Sequence, residues 1–183
     1  MRDVWHYDAL SQPLPHGSSE VARRLVEAYR MADPAIVRAT WDPSAPLLGR
    51  EMRLQLRLYR VLSVRVGVRV TRVWDEDRIV DGRTARVFGY EYATLPGHVE
   101  HGRMDYEVVK WRDDGAVEFR LHARSRPSRE GPLWVRIGFR LFGRREQVRF
   151  YLRCCERMAR LTARELRLPE TPPPPTVRLE TAA

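Results

Sequence analysis

The sequence predicts an α+β fold in which a curved antiparallel sheet packs on a long C-terminal helix. Three observations lead there. Between Met52 and Ala123, several separate runs place apolar side chains at every second position, the period of half-buried strands. Turn residues punctuate the runs, Asp81-Gly82 and Asp114-Gly115 among them, so successive strands are read as antiparallel. Beyond Gly131-Pro132 the period becomes helical and holds to about Arg167. A sheet with one apolar face needs a cover, and this last helix supplies it, with room for a pocket between the two layers.

The elements follow in order. Val4–Tyr7 reads as a short extended piece, followed by a loop that holds Pro13, Pro15 and Gly17. Ser18 or Ser19 is placed to cap a helix with Glu20 in its first turn. Val21, Ala22, Leu25, Val26, Ala28 and Tyr29 recur along it, and it is expected to end near Asp33-Pro34, because the residue before a proline avoids the helical region. A second helical turn is expected over Ala35–Thr40, then a loop from Trp41 to Pro46.

Met52, Leu54, Leu56 and Leu58 form one alternating run, and Val64, Val66, Val68 and Val70 another. Trp74 to Gly82, with its acidic Asp75-Glu76-Asp77, reads as a turn region. Residues 84–94 form a third strand, with Phe88, Tyr90 and Tyr92 on one face and Val87, Gly89 and Glu91 on the other.

The next two runs specify a register. Met104, Tyr106 and Val108 share a face, as do Phe119, Leu121 and Ala123. These faces coincide only if facing positions sum to an odd number. A two-residue type I′ turn at Asp114-Gly115 then sets Tyr106 opposite Ala123 and Val108 opposite Leu121. On the other face it sets Asp105 opposite Arg124 and Glu107 opposite His122.

After Ser125-Arg126-Pro127 comes a polar break, then two apolar stripes at helical spacing. Trp134, Ile137, Leu141 and Phe142 mark the first; Val148, Tyr151, Leu152, Cys155, Met158, Ala159 and Leu161 mark the second, with a kink expected near Gly143. The tail carries Pro172 to Pro175 and reads as extended polyproline or disordered chain. The expected organisation is an N-terminal extended segment (1–17), a single domain (18–167) and a Pro-rich tail (168–183).

A chain of 183 residues suits one domain, and roughly 70% of the unfolded surface can be buried at that size. The formal charge of +9 favours an anionic partner. However, Lys110 is the only lysine, and the arginines are spread through strands and helices, which argues against nucleic acid. Cys154 and Cys155 are neighbours in a helix, about 100° apart around its axis, and poorly placed to pair. The opening residues are too polar for a signal peptide, and no apolar run reaches membrane-spanning length. A soluble, reduced, cytoplasmic protein is expected. There is no phosphate-cradling Gly-rich loop, nucleophile elbow or C-x-x-C pair, so no cofactor is expected.

One pattern is more specific. Gly89, Tyr90, Tyr92, Thr94, Leu95, Pro96, Gly97, His98, Glu100 and Gly102 are followed at a distance by Ser125, Arg126 and Pro127. In these residues the chain, over about 18–165, resembles an uncharacterised family of bacterial and plant proteins, the domain of unknown function numbered nineteen-ninety. It departs from that pattern at Ala93, Val99, Arg103-Met104 and Arg124. The resemblance implies a fold similar to the START-like, helix-grip proteins, which commonly hold apolar or amphipathic small molecules. It implies no activity.

The leading reading is therefore a non-catalytic module that holds an apolar or amphipathic small molecule between sheet and helix. Phe88, Tyr90, Tyr106, Phe119 and Tyr151 are the expected walls; Tyr92, Thr94, His98 and Glu100 lie near the expected mouth; Arg126 is a donor for an anionic group. Thr94-Leu95-Pro96-Gly97 is also type II turn chemistry, which explains much of the motif without a ligand. His98, Glu100 and His101 lack an evident third partner for zinc, and no metal site is expected. Two alternatives stand beside this reading: an enzyme using His98 and Glu100 as acid and base, and a basic module for nucleic acid or anionic membrane.

Overall fold

Alternation builds most of this molecule. The computed structural model describes residues 6–58, 62–96, 100–127, 144–169 and 174–181. Among them, eight antiparallel strands form one sheet in the order β2-β3-β4-β5-β6-β7-β1-β8. They are β1 (His6–Leu14), β2 (Val37–Thr40), β3 (Glu51–Leu58), β4 (Leu62–Val80), β5 (Arg83–Thr94), β6 (Glu100–Trp111), β7 (Val117–Pro127) and β8 (Thr176–Thr181). Two helices, α1 (Ser19–Glu27) and α2 (Arg144–Glu165), cover one face. α1 lies on β5 and β6, and α2 on β1 and β7.

The covered face carries the main core. Val68, Val70, Phe88, Tyr90, Met104, Tyr106, Phe119 and Leu121 from the sheet meet Val21, Leu25 and Val26 of α1 and Tyr151, Cys154, Cys155, Met158 and Ala159 of α2 in one cluster. The outer face has a smaller cluster of Ala85, Val87, Val109 and Trp111, flanked by Trp74 and Val80. β5 is therefore buried on both sides.

Several local expectations are corrected. The N-terminal stretch expected to loop is the strand β1, paired along its length with β7. The tail carries β8, which pairs with β1. Ser18 occupies the N-cap position, but its hydroxyl makes no capping bond and is buried without a partner. α1 stops at Glu27, well before Pro34, because Tyr29 takes the left-handed conformation at φ 53°. The Tyr29 and Arg30 amides donate back to the Val26 and Leu25 carbonyls, which closes the helix in a Schellman motif. Val37–Thr40 is strand, not helix; its alternation lets it pair with β3.

The region read as a turn from Trp74 is a continuation of β4. Its acidic residues face partners on other elements: Asp75 pairs with Arg86 at 2.7 Å and with Arg23 of α1 at 2.5 Å, and Asp77 with Arg112 at 2.6 Å. A bulge at Thr71 shifts the register, so alternation changes phase within the strand. The reversal is confined to Asp81 and Gly82, both at positive φ as a type I′ hairpin requires.

The β6–β7 register keeps its odd sum but is displaced by two. Tyr106 faces Leu121, Val108 faces Phe119, Asp105 faces His122 and Glu107 faces Arg120. The loop has four residues, not two. The Trp111 amide donates to the Ala116 carbonyl at 2.9 Å, and the Gly115 amide, at φ 70°, donates to Trp111 at 3.1 Å. Asp114 is used instead as a side-chain acceptor, for the Ala116 amide at 2.9 Å. The expected first apolar stripe, Trp134 to Phe142, and the kink near Gly143 lie outside the described residues. α2 ends at Glu165. No helix among the described residues is long and apolar enough to cross a membrane.

Candidate functional site

Cross-strand pairing gathers the tyrosines. Tyr90 lies directly opposite Tyr106, and Tyr92 opposite Met104. All four point to the helix-covered face, where Tyr106 becomes the hub. Its ring centroid is 5.5 Å from Tyr90, 5.8 Å from Tyr92, 6.3 Å from Phe119 in a stacked pair, and 5.9 Å from Tyr29 edge-on. Such spacings are those of attractive aromatic pairs. Tyr90, Tyr106 and Phe119 are 1%, 0% and 0% exposed, so no water-sized opening touches these rings.

The hydroxyls converge as well. The Tyr106 oxygen lies 3.4 Å from that of Tyr29 and 3.5 Å from that of Tyr92. Both Tyr106 and Tyr92 reach the Met104 sulfur, at 2.8 and 3.1 Å, and Tyr90 donates to the Val26 carbonyl at 3.4 Å. The phenol–phenol distances are long for O–H···O bonds, and thioether sulfur is a weak acceptor. Burial pushes the Tyr29, Tyr90 and Tyr106 hydroxyls well above the usual tyrosine range, so they stay neutral donors.

The other residues singled out from the sequence fall around this cluster. Phe88 is buried, with the Arg23 guanidinium 4.2 Å over its ring. The Thr94 hydroxyl accepts the Gly102 amide at 3.1 Å and ties the end of β5 to the start of β6. Tyr151 is buried on α2 beside Phe150, with ring centroids 6.0 Å apart. Glu100 and Arg126 are on β6 and β7, opposite Pro127 and His101, and their side chains lie outside the described residues. His98 and the Gly97 end of the expected turn also lie outside them. Tyr29 went unrecognised as a member of the cluster: in the sequence it is one more apolar position on α1, and nothing there announces a left-handed residue. Cys154 and Cys155 are buried, and burial pushes their thiols up, that of Cys155 to about 12, so neither is a ready nucleophile. Among the described residues no three metal-ligating side chains converge.

The opposite face of the sheet has an open cleft of about 260 Å³ between β4, β6 and β7, lined by charged side chains and Trp74. The sequence pattern does not reveal it, because Trp74, Glu76 and Arg78 of β4 fall in the stretch whose acidic residues read as a turn.

A curled antiparallel sheet packed on a C-terminal helix, with its core between them, is a helix-grip fold, similar to the Bet v1-like and START-like folds. The model of the family described as Domain of unknown function (DUF1990) matches residues 3–157, and the chain belongs to that family. The match starts early enough to take in β1, beyond the span of the motif resemblance.

Solved structures share the fold at low identity. The di-domain ARO/CYC StfQ from the steffimycin biosynthetic pathway superposes with a TM-score of 0.59 at 8% identity, covering 91% of this chain and 53% of StfQ. The chain thus spans about half the length of that di-domain protein. A protein of unknown function from Staphylococcus aureus, SA2116, gives 0.53 at 9% identity over 89% of this chain and 96% of its own. Ara h 8.0201 gives 0.51 at 9% identity over 87% and 99%. Identities this low establish the fold alone. Among curated proteins no sequence matches the chain.

Proposed function

We propose that the protein binds an apolar or amphipathic small molecule between the sheet and α2, without transforming it. One observation carries this reading: three phenol hydroxyls, from Tyr29, Tyr92 and Tyr106, converge within 3.5 Å inside an otherwise apolar core. The Tyr29–Tyr106 contact is long and the Met104 sulfur that Tyr106 reaches is a weak acceptor, so an incoming oxygen acceptor would improve the hydrogen bonding of Tyr29 and Tyr106. A mostly apolar lining with a few convergent polar groups is the usual chemistry of a small-molecule site, and because Tyr90, Tyr106 and Phe119 are packed closed, a ligand here has to displace side chains to enter. Proteins of this fold often bind hydrophobic ligands, which supports the same reading by analogy.

Entry is assigned to the Tyr92–Met104 end of the cluster. Both residues keep slight exposure, and Met104 is unbranched and readily changes rotamer. Native mass spectrometry of the full chain tests the proposal. The expected result is a small-molecule adduct that is released on unfolding and reduced in Tyr106→Phe. A bare protein mass, together with no uptake of a fluorescent fatty acid by the purified chain, would overturn it.

A further inference from the structure

The outer cleft has a physical cause. On this face β5 offers Gly89, and the Trp74 indole from β4 lies over it. That leaves a recess bordered by Arg72 and Arg78 of β4, Asp105 and Glu107 of β6, and His122 and Arg124 of β7.

Within the recess some charges are already used. Glu107 is ion-paired with Arg78 and stands 4.0 Å from His122 Nε2. Burial lowers the His122 pKa, so the ring adds no charge at neutral pH. Two groups remain uncommitted among the described residues. Arg72 has neither an ion pair nor a side-chain hydrogen bond, and only rests 5.7 Å from the Trp74 ring centroid. Asp105 accepts no hydrogen bond and has no cation within 4.0 Å, although Arg72 and Arg124 flank it from either side. One open cation and one open anion thus share a cleft without touching.

That pairing selects a ligand class. A simple anion drawn to Arg72 and Arg124 would sit against Asp105, Glu107 and Glu76. A simple cation drawn to Asp105 would sit against three arginines. A molecule carrying both charges a few ångströms apart matches both sides. The cleft volume suits something of amino-acid size, and Trp74 supplies an apolar surface for a side chain.

We propose that the outer cleft is a binding site for a free α-amino acid, with its carboxylate on Arg72 and Arg124, its ammonium on Asp105 and its side chain against Trp74. The site is separate from the interior one and does not depend on it.

Isothermal titration of the full chain with L-leucine, L-glutamine and L-phenylalanine tests this at neutral pH. At least one should bind, and removing either charge from the ligand should weaken it at least tenfold; for leucine the probes are isocaproate and isoamylamine. Asp105→Asn and the exposed Arg72→Gln should each cost at least tenfold while far-UV circular dichroism is unchanged. Isocaproate binding as well as leucine would overturn the proposal in favour of an anion site, and isoamylamine binding as well would overturn it in favour of a cation site. No heat with any of the three amino acids would identify the cluster as an ion network only.

Discussion

Gly89 lies beneath the Trp74 indole so closely that no side chain fits between them. A Cβ at Gly89 would stand 2.8 Å from Trp74 Nε1 and 2.5 Å from the Tyr106 carbonyl oxygen. The conflict is partly with backbone, so a rotamer change cannot relieve it. Gly89→Ala is expected to destabilise the protein by about 1–3 kcal/mol, in the range of overpacked sites. Urea denaturation measures this. An alanine variant as stable as the parent would show that β5 and β6 can separate at no cost.

The hydroxyl cluster makes a second prediction. Tyr106 is the shared partner of Tyr29 and Tyr92. Tyr106→Phe should cost roughly 0.5–1.5 kcal/mol, the ordinary value of a hydrogen bond, with some of the cost coming from the partners left behind. Tyr29→Phe should cost less once Tyr106→Phe is present, because both variants break the same contact. Strict additivity across this cycle would mean that the 3.4 Å contact carries no energy.

The same residues show how far the sequence could be read. Alternation was enough to put Tyr90, Tyr92, Tyr106 and Phe119 on one face, since the side-chain period of a strand is independent of the fold around it. It was not enough where one residue interrupts the period. The bulge at Thr71 reverses the phase of β4, so Trp74 to Val80 lost their strand signature and the outer cleft went unread. Asp114-Gly115 is strong turn chemistry, but Arg83 and the Ala116 amide recruit the Asp114 carboxylate into a longer loop. Tyr29 joined the cluster through a left-handed backbone that costs a non-glycine residue about 1–2 kcal/mol and needs tertiary packing to persist. The arginines, spread along the sequence, also share a periodicity: Arg53, Arg57, Arg65 and Arg69 sit at alternating positions of β3 and β4, on the face opposite the buried Met52, Leu54, Val66 and Val68.

Asp105 should leave a pH signature. Desolvation first, and then the neighbouring Glu91, raise its pKa to about 6. The unfolded value is about 3.9, so between these limits the folded chain holds more protons than the unfolded one. Stability from this group is therefore present below about pH 4 and is lost as the pH rises to about 6. Asp105→Asn removes that loss, so the variant should gain most over the parent above pH 6 and least near pH 4, as followed by urea midpoints. Amino-acid binding should run the other way and weaken as Asp105 is protonated. The groups facing it are Arg72, Glu76 and Arg78 of β4, Glu91 of β5, Glu107 of β6, and His122 and Arg124 of β7. A flat difference between variant and parent from pH 4 to 8 would mean that Asp105 titrates as an ordinary surface carboxylate.

β8 is the short edge strand on one side of the sheet. Its pairing with His6–Ser11 occupies the edge that β1 would otherwise offer to any extended chain. Long unpaired edges promote association between molecules, and a short edge strand such as β8, six residues against the nine of β1, is one way proteins blunt them. Deleting residues 170–183 removes the cover but leaves β1 held by β7 on its other side. The truncated chain should therefore stay folded while its size-exclusion profile shifts towards larger species, more strongly at higher protein concentration. Adding the excised segment as a synthetic peptide should reverse the shift by restoring the missing strand. If the truncated chain elutes as the full chain does at every concentration, β1 needs no cover and the tail strand has no protective role.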